Sequence, residues 1–417
     1  MKTLLMIMTA CVAAASAFAG HEARAYPEND LLAHTALTVT VGQSDADIVG
    51  SDNRALQAAV DYVGNLGGGV VHIGPGEYIM RDSVHLRDRV TLRGEGERTV
   101  LKKAACVKSL LAADGDFGEE AVILADAEGF EVGFGVHVGS KRAGGFHTIC
   151  ATILNKDGNY ITLSRPLNTD CMMNDEAYAA TVFPVSSAYN AVDCRIENLV
   201  VDGNRAENEF INGCRGAGIF CYRADGAVFE NCIVREYNGD GISFQQSNDV
   251  QVLGCVCERN AGKGLHPGSG SQRPVFRGCR SANNDDDGFF FCWRVRNGLV
   301  EECEFVGNGG YGMSIGHKDS DNLVRKNRIA GNKKGGVLWR NEKEPMAAHN
   351  IRFVENTVEN NNDCGLFVSG QTNGTVIAGN VIRNNGKTGI RIGPEAGKVD
   401  IQQNKITADE AVVHEKS

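Results

Sequence analysis

The chain has 417 residues with a formal net charge of −10, a balance that excludes a general nucleic-acid binder, though not a local basic groove. Glycine supplies 51 residues and aromatics only 7%, which suits a turn-rich β fold better than a helical one.

The chain opens with Lys2, an apolar run from Leu4 to Ala15, and Ala17-Phe18-Ala19 before Gly20. This pattern predicts a signal peptide over residues 1–19 and a secreted or periplasmic protein. A lipoprotein reading at Cys11 is weaker, because "MTAC" has Met where a branched aliphatic is usual. No other segment reaches the ~20 apolar residues that span a bilayer. Residues 52–66, "DNRALQAAVDYVGNL", form one short amphipathic helix started by Asp52 and ended by Gly67-Gly68-Gly69. A solenoid must cover its first coil, so this helix is expected to be the cap.

The text continues "GGGVVHIGPGEYIM" and "VTLRGEGERTVLKKA". It resembles the entry into the pectate-lyase-like superfamily of right-handed β-helix proteins, where a capping helix leads to a Gly-rich strand, a Pro-Gly-x-Tyr turn and a "TLRGEG" strand. With the later coils, the likeness covers residues 45–405. It implies the fold and leaves the activity open, since the superfamily holds lyases, hydrolases, epimerases and phage tailspikes. Residues 45–104 are then the cap and first coils. Between 105 and 185 the repeat is lost; alternating residues around Lys156-Asp157-Gly158-Asn159 predict an antiparallel β insertion.

From 186 to 408 two ladders run out of phase. Gly218, Gly241, Gly264, Gly288, Gly312, Gly336, Gly365 and Gly389 are spaced by 23, 23, 24, 24, 24, 29 and 24 residues. Cys232, Cys255, Cys279, Cys303, Asn327, Asn356, Asn380 and Asn404 follow the same rhythm, and both ladders take up a loop around "NEKEPMAAH". A period in the twenties built from short β runs predicts an all-β chain, a right-handed parallel β-helix solenoid, with residues 409–417 as a tail. Glycine and asparagine are expected at the sharp turns. The stacked cysteines read as a buried row of small apolar side chains; no C-x-x-C pair supports zinc, and one or two disulfides elsewhere stay open.

Residues one and three after each glycine are apolar and point inward; those between and beyond point outward. The outward set is chemically uneven. Asp240, Lys263, His266, Asp286, Asp287, Arg294 and His317 are the candidate catalytic groups, and Gln245, Trp293, Lys318, Arg340 and Glu342 the candidate substrate-binding groups. Such a strip suits an extended sugar polymer: acids and bases move protons, cations pair with anionic groups, and Trp stacks on a pyranose. Replacing His266 is expected to cripple turnover and leave the melting temperature nearly unchanged, as for any outward side chain.

Three functions fit. The cationic excess on the strip favours a polysaccharide lyase acting on a uronate-containing polymer. Arg294, Arg340 or Lys318, or a Ca2+ held by Asp285 to Asp287, neutralises the carboxylate, and Lys263 or His266 takes the C5 proton. Asp240 with Asp286-Asp287 resembles the acid and base of the polygalacturonase pattern, which implies an inverting hydrolase. Here a coil carrying Lys263 separates the two sites, Tyr311 stands where Gly-His-Gly is expected, and no Arg-Ile-Lys follows. The two-coil spacing of ~9.6 Å lies at the upper edge of the roughly 6.5–9.5 Å of inverting carboxyls. The third reading is a non-catalytic glycan-binding or surface β-helix.

Overall fold

A computed structural model describes residues 37–142 and 145–416; the expected signal peptide lies outside them. Three long parallel sheets, of 13, 11 and 11 strands, wind through the chain as a solenoid, here sheets 1, 2 and 3. A typical coil runs from Val228–Glu230 in sheet 1 through Ile233–Arg235 in sheet 2 to Asp240–Gln245 in sheet 3. Each strand pairs in register with its counterpart one coil on, as Ile242 does with Leu265 and Ser243 with His266. The inward residues Ile242, Phe244, Leu265, Phe289, Phe291, Met313, Val337 and Trp339 are all buried in one continuous core.

The ladders act differently from the sequence expectation. The ladder glycines do not have positive φ. They are small because the next coil approaches too closely: an added Cβ would lie 2.6 Å from the Gly264 carbonyl oxygen at Gly241, and 2.2 Å from that of Gly365 at Gly336. The left-handed residues stand just before the second ladder instead, as Asn231, Gly254, Gly278, Glu302, Lys326 and Glu355, at the corner between sheets 1 and 2. The four ladder cysteines are buried free thiols, and Cys279 Sγ donates to the Val252 carbonyl at 3.2 Å.

A further asparagine row lies at the corner between sheets 2 and 3. Asn332 Oδ1 accepts from the Asn308 backbone N–H and amide, both at 3.0 Å, while its own Nδ2 donates to Phe305 O at 3.0 Å and to Asn361 Oδ1 at 2.9 Å. Buried amides are tolerated there because each is satisfied by the coils on either side.

The helix spans Asn53–Asn65, with the Asp52 carboxylate accepting from the Arg54 and Ala55 N–H groups. Its Gln57 amide bonds both backbone groups of His85, donating to O at 3.1 Å and accepting from N at 2.7 Å. Val84–His85 is the end strand of sheet 3, so this side chain occupies an otherwise open edge. Two boundaries differ from the sequence reading. Thr38–Gly42 already pairs with the strand Gly69–Ile73, so the solenoid begins before residue 45. The expected tail carries a strand: Glu410–His414 pairs with Thr388–Ile392, because that strand's free edge binds backbone even without the glycine pattern.

Residues 108–180 carry a separate six-stranded sheet whose pairings are antiparallel. Its hairpin Ile149–Asp157 to Tyr160–Leu163 turns at Gly158, φ +54°. Leu124, Phe130, Val136, Ile153 and Ile161 form a core of its own.

Candidate functional site

The outer face of sheet 3 holds both the expected strip and an open groove. Alternation turns Ser243 and its register partner His266 outward, and Asp240 meets His266 on that face, yet none of the three is solvent-lined. Segment 203–216 crosses over them: Ser243 Oγ donates to Gly213 O at 2.6 Å, and Ile211 is buried while its N–H bonds Asn238 O at 2.9 Å. An added Cβ at Gly213 would stand 1.7 Å from Asp240 Oδ2, so only glycine allows this approach. Asp240 and His266 are therefore each 2% exposed, and Asp287, packed against Gly310 and Tyr311, is 7% exposed, which corrects the expectation of a solvent-lined strip.

Beneath the segment, Asp240 Oδ2 lies 2.6 Å from His266 Nδ1, and its Oδ1 accepts the Lys263 N–H at 2.8 Å. Burial alone would raise the Asp240 pKa, but the bond to His266 and the Lys263 charge hold it low. Burial likewise opposes a charged His266, but Asp240 and Cys214 carry its pKa up to about 9. The nearby Cys292 thiol and His266 ring draw the Cys214 thiol down to about 5, and the same closeness pushes Cys292 up. Gln245 is buried in the same layer, with Nε2 donating to Ser243 Oγ at 3.2 Å.

The rest of the strip is a half-exposed patch. Lys263 Nζ pairs with Asp286 at 2.8 Å and lies 4.8 Å from the Phe290 ring centre. The Arg340 guanidinium lies 4.3 Å from that same centre and bonds Ser314 Oγ and Phe291 O at 2.8 Å and Asp319 at 3.3 Å. His317 touches Arg340 at 3.3 Å and pairs with Glu342 at 2.8 Å, and Trp293 packs against its ring at 5.3 Å. Arg294 and Lys318 are exposed. Trp293, Arg294, His317 and Lys318 all sit in the left-handed region, a concentration of backbone strain on this face.

The carboxylates of Asp285 to Asp287 do not converge on one point. Asp285 pairs with Arg205, Asp286 with Lys263, and Asp287 accepts the Tyr311 N–H at 2.7 Å. The Ca2+ expected on this run thus finds three separately engaged groups. Burial, then the Asp286 charge, raises Asp287 to about 6 from 3.8. Between those values the unfolded chain has lost a proton that the folded one keeps, so this group's contribution falls as pH rises from about 4 to about 6 and then levels. Urea denaturation across that window should show Asp287→Asn gaining on the wild type as pH rises; a constant difference would refute the assignment.

The open groove lies where the insertion meets the N-terminal end of sheet 3. Two adjoining cavities of about 350 and 470 Å3 share Cys150, Arg165, Tyr189 and Asn190. The Arg165 guanidinium sits 3.6 Å from the Tyr189 ring centre, and Phe220 and Tyr222 flank that ring at 5.7 and 6.4 Å. In the first cavity His85 Nδ1 is 2.9 Å from Ser187 Oγ and its Nε2 is 3.4 Å from Asp82, which also accepts from Thr152 Oγ1 at 2.6 Å. A cation, two half-buried tyrosine rings backed by the buried Phe220, and a histidine–carboxylate pair are thereby gathered along one trough.

The model of the right-handed β-helix region matches residues 186–345 and 297–414, more than half the chain. The chain belongs to the right-handed β-helix family. Among solved structures, this β-helix resembles the mannuronan C-5 epimerase AlgE4 A-module of Azotobacter vinelandii, at 17% identity and TM-score 0.56, over 90% of this chain and 100% of that one. The AlgE6 A-module of the same organism aligns at 15% identity and TM-score 0.51, over 86% and 93%. The Dettilon tailspike protein aligns at 11% and 0.56, over 88% of this chain and 62% of its own. These likenesses are of fold. No curated protein matches the sequence.

Sequence reasoning missed the groove of this β-helix protein for a definable reason. Tyr189 and Tyr222 occupy the same register as Gln245, so extending the coil alignment backwards would have found the aromatic column. Arg165 and Cys150 come from the insertion, where no period links them to the coils.

Proposed function

We propose that this β-helix protein is an exported enzyme that binds an anionic, uronate-containing polysaccharide along the sheet 3 groove and cleaves it by β-elimination. The observation that carries the reading is Arg165 stacked on Tyr189 beside His85 and Asp82. The guanidinium pairs with a uronate carboxylate and stabilises the charge that develops as C5 loses its proton. The half-buried Tyr222 ring and the open part of Tyr189 take the pyranose rings. His85, with Nδ1 against Ser187 and Nε2 against Asp82, is the base that takes the C5 proton, and Asp82 stabilises the imidazolium that forms. The C4–O bond breaks, a C4=C5 double bond forms, and the leaving oxygen takes a proton returned by the His85 imidazolium. The names of two similar structures, both mannuronan C-5 epimerases, support chemistry at a uronate C5. The inverting-hydrolase reading is less well supported, because Asp240 is tied to His266 beneath Gly213 and Asp287 is buried.

The test is the full chain on a panel of uronate polysaccharides. Short-wavelength ultraviolet absorbance of the unsaturated uronate is the expected result. New reducing ends without that absorbance would assign a hydrolase. Exchange of the C5 hydrogen without cleavage would assign an epimerase, and binding without turnover a glycan-binding protein.

A further inference from the structure

We propose that Cys214, His266 and Cys292 bind a zinc ion that pins segment 203–216 to the outer face of sheet 3. The two sulfurs and one nitrogen of His266 all lie within 4.8 Å of one another, and among the described residues this is the one such group of three found. With metal–sulfur bonds of about 2.3 Å and metal–nitrogen bonds of about 2.0–2.1 Å, tetrahedral donors stand roughly 3.5–3.8 Å apart, so only a small contraction closes the site.

The state of the imidazole points the same way. Asp240 occupies Nδ1 at 2.6 Å, while Nε2 is buried and makes no hydrogen bond. A carboxylate on one ring nitrogen orients the imidazole and raises the basicity of the other, the usual support of a metal-bound histidine. A second orphan lies close by in register. Gln245 Oε1 is also buried without a partner, and Gln245, Gly268 and Cys292 follow one another in a single column. Gly268 carries no side chain, and an added Cβ there would meet Gln245 Oε1 at 2.4 Å, so the amide lies across it. Once zinc displaces the thiol and Nε2 protons, two sulfurs, a ring nitrogen and an amide oxygen make a buried set of donors around one cation. Two thiolates and a neutral imidazole balance the zinc charge, and Gln245 Oε1 supplies the fourth donor. The three ligands are 7%, 2% and 3% exposed, which makes the ion a structural clasp rather than an open catalytic centre.

The site is separate from the groove, so its failure would leave the proposed activity standing. Full-length protein purified under reducing conditions should retain a single equivalent of zinc after dialysis, measured by elemental analysis. The double variant Cys214→Ser/Cys292→Ser should retain none, and Cys106→Ser should behave as the wild type. Cobalt titration of the wild type should give thiolate-to-metal absorption, which decides the matter even if the double variant misfolds. No retained zinc and no such absorption, equal zinc in the folded double variant, or a Cys214–Cys292 disulfide in the native protein would each overturn the proposal.

Discussion

Asp240→Asn should lower the unfolding free energy by about 3–5 kcal/mol, measured by urea denaturation of chelator-treated protein, although Asn keeps the shape of the side chain. The reason is burial. Asp240 is 2% exposed, faces His266 Nδ1 at 2.6 Å and the Lys263 N–H at 2.8 Å, and lies under Gly213 with no room for water to replace the lost charge. Removing one member of a buried ionic pair leaves the other uncompensated. The comparison is Asp286→Asn. Its pair with Lys263 has a similar length, 2.8 Å, but Asp286 is 40% exposed, so the expected loss is under about 1 kcal/mol. Equal effects in the two variants would mean that segment 203–216 does not seal Asp240 from solvent. The same logic reverses the expectation for His266, whose replacement should now cost stability as well.

The second large effect belongs to the groove. His85→Ala should lower kcat on the best uronate substrate by roughly 10²–10⁴-fold, the usual contribution of a positioned general base. Arg165→Ala should lower kcat/KM by roughly 10–100-fold, and Arg165→Lys should recover only part of it, because a lysine cannot pair bidentately with a carboxylate. Both positions are only half-buried, so unfolding free energies should stay within about 1 kcal/mol of wild type. Full activity in both variants would move the chemistry to the patch of Lys263, Phe290, Arg340 and His317, beside the exposed Arg294 and Lys318.

The repeat itself was legible in the residues. A parallel coil buries alternate positions at a fixed interval, so the pairs Ile242/Phe244 and Val337/Trp339 announce their own faces, and the loop at "NEKEPMAAH" announces where one coil is longer. The glycine ladder was visible too, but its cause was not. Close approach between coils and a left-handed turn both select glycine, and only the positions of the Gly264 and Gly365 carbonyls separate the two.

The sequence alone determined the architecture, the core and the register, because those follow from short-range periodicity that every coil repeats. Tertiary structure alone decided what covers the outer face. His266 read as solvent-facing from alternation and Asp240 from its place just before the ladder glycine, and it took a segment from the preceding coil, with Gly213 allowing contact, to bury them. Cys214, His266 and Cys292 share no motif spacing, and Arg165 reaches Tyr189 from a separately folded sheet. Such meetings depend on where irregular segments land on a regular surface, and a periodic pattern carries no information about that.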